Sequence, residues 1–190
     1  LASSAASDVY KRQYDSWYWP HPPVYMPEYC NLKDVTFLKK HVNIPVYCAG
    51  KMADPEVCND EIAKGNIDGV ALARILLADP EWANKAQANI KDEIKPCIGC
   101  HIGCLGRLFQ GKRMGCAINP ECGSEICYHY EKSDIQKHIV IVGGGIAGME
   151  AARVAALRGH EVDLYEKTDR LGGVFNEASA FDFKDDDRRL

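Results

Sequence analysis

The apolar positions Leu32, Val35, Leu38 and Val42 recur at helical spacing, and Asn31 stands where it can cap that helix. Pro45 then leads a short apolar run, Val46–Ala49, that ends at Gly50 and reads as a strand. Asp54-Pro55 supplies an N-cap and a proline at the first helical position, and Gly65 ends the helix it opens. A second apolar strand is predicted over Gly69–Ala73, ending at Arg74. Asp79-Pro80 starts a further helix running to about Glu93. Helix, strand, helix, strand, helix at this spacing predicts parallel strands with crossover helices. Two such strands cannot stand alone, and they fit the last units of a larger parallel barrel. After Pro96 the periodicity lapses, and Cys97–Cys127 reads as a loop organised by something other than a core. Regular structure resumes with a strand at His138–Val142, a helix at Ile146–Arg158 closed by Gly159, and a strand at Glu161–Tyr165. Ahead of all this, Asp15–Tyr29 is rich in aromatics and proline and reads as a loop, since Pro20, Pro22, Pro23 and Pro27 block regular elements.

Composition narrows the class only slightly. The 190 residues are 46% hydrophobic and 26% charged, with a net charge of −4 and no basic stripe, which argues against a nucleic-acid partner. No apolar run approaches the roughly 20 residues that span a bilayer, so no membrane partner is expected. The N-terminus lacks a basic region followed by an apolar core, so no signal peptide is expected. Nine cysteines, four of them between Cys97 and Cys116, then point to an intracellular metal site in a reducing cytoplasm rather than to a secreted disulfide scaffold. Residues 1–13 are small, polar and aperiodic. They resemble translated sequencing-adapter sequence, the alternative being a native flexible terminus. The Asp185–Leu190 end has acids followed by bases, as at the start of a helix, and position 1 is not Met. The chain is therefore expected to be a piece of a longer protein.

The cysteines carry the first chemistry. Cys97, Cys100, Cys104 and Cys116 form C-x2-C-x3-C-x11-C. Four soft thiolates suit a [4Fe–4S] cluster or tetrahedral zinc. A structural zinc site usually has two paired C-x2-C knuckles. Here three cysteines crowd one turn and the fourth lies beyond a loop, which suits four corners of a cubane; zinc and no metal are the competing readings. Gly99, Gly103, Gly106 and Gly115 are expected to let backbone approach the sulfides. His101 is read as a neighbour rather than a ligand. Cys122 and Cys127 are either alternative ligands or ordinary thiols, and Cys30, Cys48 and Cys58 are expected to be buried as small apolar residues.

The second chemistry lies at Val140–Gly148. Gly143, Gly145 and Gly148 make G-x-G-x-x-G between a strand and a helix. Gly143 permits the tight turn, Gly145 admits a pyrophosphate to the helix N-terminus, and Gly148 allows close helix–strand packing. Glu166 ends the next strand, where an acid binds an adenosine ribose. Gly172-Gly173 follows in an E-x5-G-G pattern typical of FAD-binding two-dinucleotide-domain reductases. FAD or another ADP-bearing cofactor is expected; the alternative is a glycine turn that binds nothing.

Barrel end, cysteine spacing and glycine turn, in that order, resemble the NADH:flavin oxidoreductases of the 2-enoate reductase and 2,4-dienoyl-CoA reductase type. These are Old Yellow Enzyme relatives that carry an iron–sulfur cluster, with trimethylamine dehydrogenase as a cousin. The resemblance covers about residues 15–190, and Tyr18–Pro23 is more similar to the enoate reductases than to the amine dehydrogenases. It implies an α/β chain: the C-terminal part of a (β/α)8 flavin barrel over 14–95, an iron–sulfur segment over 96–130, and the first βαβ unit of a Rossmann-like FAD/NAD-binding domain over 137–190. It further implies an FMN phosphate at the two strand ends, Gly50-Lys51 and Ala73-Arg74, held by the Gly50 and Ala73 N–H groups and the two cations. The family often has Arg where Lys51 stands, and Lys lacks the bidentate fork. Taken without the resemblance, these cations are either phosphate ligands or solvated charges.

The implied activity is an electron relay in which NADH reduces FAD, the cluster passes electrons singly to FMN, and FMN reduces an activated C=C bond of a small molecule. A homo-oligomer is left open. No catalytic acid is assigned, because in this family those groups come mostly from the first part of the barrel. The piece by itself is expected to be inactive. Trp17, Tyr18, Trp19 and His21 either line the substrate pocket or pack as a surface loop. The competing functions are an amine dehydrogenase and a non-catalytic zinc-binding scaffold.

Overall fold

A computed structural model of the chain describes residues 18–184 apart from His129. The expectations for residues 1–13, for Trp17 and for the charged end at 185–190 lie outside the described residues. The fold divides into two compact units, the first ending at Gly123 and the second beginning at Ser124. The cysteine segment through Gly123 thus belongs with the preceding α/β elements.

In the first unit, α1 (Leu32–Lys39) precedes β1 (Tyr47–Cys48), and α2 (Pro55–Ala63) precedes β2 (Gly69–Val70). The strands are shorter than the apolar runs suggested, but they pair in parallel as expected, Tyr47 opposite Gly69 and Cys48 opposite Val70. The Asp54 carboxylate accepts from the Glu56 N–H at 2.8 Å, so Asp54-Pro55 opens α2 as read. Asn31 differs from expectation. It holds the N-cap position of α1, but its side chain makes no capping bond; its Nδ2 reaches across to donate to the Ala49 carbonyl at 2.9 Å, tying the helix start to the end of β1. Cys48, Met52, Cys58 and Ile67 form one core cluster, against which Leu32, Val35 and Val70 pack. Burial of the Met52 and Ile67 side chains contributes about 1.5–3 kcal/mol each. Burial, and then the Asp54 charge, push the Cys58 thiol up to about 11, so it stays neutral and behaves as an apolar residue. Cys30 is only half-buried.

A short helix, α3 (Arg74–Ala78), that was not expected precedes Asp79. The helix expected from Asp79 to about Glu93 is α4 (Trp82–Gln87) followed by a 3₁₀ turn at Lys91–Glu93. Asn89, at φ +57°, breaks the run between α4 and the 3₁₀ turn. Ile75, Trp82 and Ile94 make a second core cluster, and Cys97 packs on its edge.

Asp79, only 2% exposed, binds this region together. One carboxylate oxygen accepts from the Glu81 N–H at 3.0 Å; the other accepts from Lys85 Nζ at 2.7 Å and from the Lys95 N–H at 2.9 Å. Burial alone would raise its pKa, but these hydrogen bonds and the Lys85 charge outweigh burial and hold the carboxyl below its ordinary value of 3.8.

In the second unit, β3 (His138–Val142) and β4 (Glu161–Tyr165) pair in parallel over five residues around α6 (Ile146–Leu157). Both strands have the bounds expected, because alternation and flanking glycines agree. Ile139, Ile141, Val162 and Leu164 are half-buried, while Val140, Val142 and Tyr165 stand exposed. A one-turn helix, α7 (Phe175–Ala178), was not expected.

Asp79→Asn should destabilise the chain by about 2 kcal/mol, since an amide NH₂ would face the Lys85 or Lys95 donors. The native pKa is depressed, so the wild-type advantage is full above the ordinary value of 3.8 and disappears as pH falls through the native one. Urea unfolding of both proteins at pH 7 and at pH 3 checks this, the difference shrinking at the lower pH.

Candidate functional site

Cys97, Cys100, Cys104 and Cys116 line one pocket, walled also by Arg74, Leu77 and His101. Tertiary structure thus brings the four together. Cys122 is buried and does not line this pocket, and Cys127 is exposed in the second unit. Among the described residues, no three Cys, His, Asp or Glu side chains come together as a ready-made site for a metal ion. Four thiol donors on one pocket fit a thiolate-held iron–sulfur cluster, the chemistry of the donor set agreeing with the spacing of the cysteines. Burial raises the Cys97 thiol pKa, with the Gly99 N–H and the Arg74 charge acting in the opposite direction.

Each arm of the pocket has a local cause. Lys95 is fixed by Asp79 and Ile94 by the core, so Cys97 follows from an anchored stretch. Cys104 precedes a one-turn helix, α5 (Leu105–Leu108), and its carbonyl accepts from the Leu108 N–H at 3.0 Å. The Gly115 N–H donates to the Gly103 carbonyl at 2.8 Å, joining the turn that carries Cys104 to the strand of chain that carries Cys116. Beyond Cys116, buried Asn119 donates to the Leu77 carbonyl at 3.0 Å and accepts from the Glu121 N–H, which pins this arm to α3.

Two of the glycines also admit neighbouring backbone. A Cβ at Gly103 would lie 2.7 Å from the Gly115 oxygen, and one at Gly99 would lie 2.8 Å from the Val24 nitrogen.

The two strand-end cations also have partners of their own. The Lys51 ammonium pairs with Glu28 at 2.6 Å and donates to the Met26 carbonyl at 2.9 Å, so its charge is compensated inside the proline-rich loop. Arg74 donates to the Pro22 carbonyl at 2.8 Å and to His101 Nε2, and its guanidinium faces the cysteine pocket. Burial, Arg74 and then His21 push the His101 pKa down. The backbone N–H groups of Gly50, Lys51, Ala73 and Arg74 donate to no acceptor among the described residues. Parallel pairing of β1 with β2 sets these two strand ends side by side.

In the second unit the glycine turn is built as expected. Gly143 has φ +106°, and a Cβ at Gly148 would collide with the Gly143 carbonyl oxygen. A Cβ at Gly145 would meet nothing within 4 Å, leaving open space beside the start of α6. The Gly172 N–H donates to the Gly144 carbonyl at 2.8 Å, and a Cβ at Gly173 would come 3.3 Å from Gly145 Cα. The second glycine pair is therefore packed on the first. Glu166 accepts from the Gly144 N–H at 2.7 Å on one oxygen, and from the Thr168 N–H and hydroxyl at 3.0 Å on the other. These bonds, the Gly144 one foremost, hold its pKa low.

Sequence reasoning missed Glu28 and Asn119 and saw in Asp79 only a helix start. Asn119-Pro120 and Asp79-Pro80 are turn signals in the sequence, but their buried partners are not.

Residues 8–93 match the NADH:flavin oxidoreductase / NADH oxidase family, a match that starts inside the stretch read as foreign. Residues 141–188 match an NAD(P)-binding Rossmann-like domain. The chain is 50% identical over 177 residues to a cinnamate reductase of Clostridium sporogenes, covering 93% of this chain and 27% of that protein. It is 49% identical over 145 residues to an NADH oxidase of Thermoanaerobacter brockii, covering 75% of this chain and 22% of that protein. A solved structure of 2-naphthoyl-CoA reductase with 2-naphthoyl-CoA matches at a TM-score of 0.84 and 30% identity, over 88% of this chain and 26% of that one. The chain spans about a quarter of the length of the curated relatives it matches.

Gly103→Ala should separate the two arms of the cysteine pocket. Hydrogen exchange at the Gly115 amide checks this: protection falls by about tenfold or more in the variant, while the β3 amides of the second unit are unchanged.

Proposed function

Since this chain belongs to the NADH:flavin oxidoreductase / NADH oxidase family, we propose that it is part of an NADH-dependent iron–sulfur flavoprotein that reduces an activated C=C bond of enoate or enoyl-CoA type. The observation that carries this reading is the convergence of Cys97, Cys100, Cys104 and Cys116 on one pocket walled by the barrel residues Arg74 and Leu77. When bound, the flavins supply hydride and single-electron chemistry, and a [4Fe–4S] cluster supplies single-electron passage.

The residues divide this work among themselves. The four cysteines hold the cluster as thiolates. The N–H groups of Gly50, Lys51, Ala73 and Arg74 bind the FMN phosphate, with Lys51 acting more through its backbone than through its compensated ammonium. Gly145 leaves room for the pyrophosphate of an FAD, Gly143 and Gly148 shape the turn, and Gly173 braces it from Gly172-Gly173. Glu166, kept ionised by Gly144 and Thr168, is the acid at the strand end that accepts from an adenosine ribose hydroxyl. A reducing cytoplasm goes with thiolate ligands of this kind. Among the described residues no helix is long and apolar enough to cross a membrane. The amine dehydrogenase reading is the weaker one, because the similar proteins named above carry reductase and oxidase names.

After anaerobic reconstitution, the chain should hold about four irons and four acid-labile sulfides. Cys100→Ala should lose most of both. Zinc without sulfide would overturn the cluster assignment. Glu166→Gln should weaken ADP-ribose binding by about tenfold, measured calorimetrically, because the amide keeps the shape of the carboxylate and loses its charge-assisted acceptance.

A further inference from the structure

We infer that Asn31 is a positioning residue for the flavin phosphate: its side-chain amide holds the Ala49 carbonyl and so aims the Gly50 N–H at the ligand. The inference rests on the FMN reading given above and adds a residue to it. Asn31 lies on the turn that opens α1, 18 positions before Ala49, and is only 6% exposed.

Three consecutive carbonyls at the end of β1 are taken from that one turn. Asn31 Nδ2 donates to Ala49 at 2.9 Å, the Cys30 thiol to Gly50 at 3.8 Å, and the Tyr29 N–H to Lys51 at 3.4 Å. The Asn31 bond is the shortest of the three. Among the described residues every peptide bond is trans, and across a trans peptide the N–H points opposite to the carbonyl before it. Drawing these carbonyls toward the α1 turn therefore sends the N–H groups of Gly50, Lys51 and Met52 the other way. Positive φ at Gly50 (+113°) and Lys51 (+52°) lets successive amides share a side. A row of such amides is an anion-binding concavity. None of the three donates to an acceptor among the described residues, although Met52 is fully buried. Asn31 also carries a cost that packing alone does not explain. Its Oδ1 is buried and has no hydrogen-bond partner among the described residues. The amide cannot turn over to relieve this, because Oδ1 would then face the Ala49 carbonyl. A Cβ at Gly50 would lie 2.5 Å from Asn31 Nδ2, so the two residues interlock. The donor is the part of Asn31 that is used.

The test titrates the isotope-labelled 190-residue chain with FMN, and with riboflavin, which lacks the phosphate, and follows the backbone amides by nuclear magnetic resonance. Wild type is compared with Asn31→Asp and Asn31→Ala. Asn31→Asp keeps the shape, suits an N-cap position and replaces the donor by an acceptor. Wild type should bind FMN roughly tenfold or more tightly than riboflavin, with shifts at both Gly50 and Ala73. Both variants should bind FMN about tenfold more weakly, with the Gly50 shift lost and the Ala73 shift kept. If only one variant folds, it is read alone. Wild-type FMN affinity in a folded variant overturns the inference. So do variants that lose the Gly50 and Ala73 shifts together, or the failure of both to fold, since Asn31 would then serve the fold and not the phosphate. Wild type that binds FMN no better than riboflavin overturns the phosphate reading itself, and this inference with it.

Discussion

The Asp79 carboxylate is the constraint on which the cysteine pocket depends. It is buried, so its charge must be met by donors, and the donors come from separate stretches of chain: the Glu81 N–H at the start of α4, the Lys85 ammonium on that helix, and the Lys95 N–H two residues before Cys97. Satisfying one acid therefore fixes where the barrel segment stops and where the cysteine turn starts. The apolar cluster of Ile75, Trp82 and Ile94 supports the same junction from inside, and Trp82 adds an indole N–H bond to the Ala53 carbonyl at 2.8 Å. Asn119 repeats the device on the far side of the pocket by reaching the Leu77 carbonyl. A buried polar side chain thus anchors the chain on each side of the cysteines.

Backbone contact completes the two candidate sites. In the cysteine segment the close approach of Gly103 to Gly115 joins the arms. In the second unit the close approaches of Gly148 to Gly143 and of Gly173 to Gly145 fold the turn on itself and leave one side of Gly145 open. Both sites follow one logic. Missing side chains bring backbone together on the protein side, and the ligand side is left to thiols in one case and to bare backbone in the other. Electrostatics then separates roles that look alike in sequence. Lys51 and Arg74 both end barrel strands, yet Glu28 neutralises the first while the second donates to Pro22 and His101.

Much of this was legible in the sequence where a signal is local. The bounds of β3 and β4 and the start of α6 follow from alternation and from glycines at fixed offsets, and both strands match residue for residue. Asp54-Pro55 opened its helix because a cap needs only a neighbour two residues away. The reading failed where a residue chose a distant partner. The Asn31 side chain looked like a capping group and instead reached Ala49, 18 residues away. The stretch from Asp79 to Glu93 looked like one helix, and the left-handed Asn89 made it a helix and a 3₁₀ turn, with an unexpected helix over Arg74–Ala78 ahead of it.

The sequence by itself determined which chemistries were available. Four thiols at C-x2-C-x3-C-x11-C, three glycines between a strand and a helix, and an acid at the next strand end are properties of spacing, and spacing is written in the chain. Only the tertiary structure decided which of those groups meet and which way the charges point. Cys116 joins the other cysteines because Gly115 bonds to Gly103 and Asn119 to Leu77. Arg74 lines the pocket and donates to the carbonyl of Pro22, 52 positions earlier. A charged side chain goes to the partner that best replaces its lost water. That partner is set by the fold, not by neighbours in sequence.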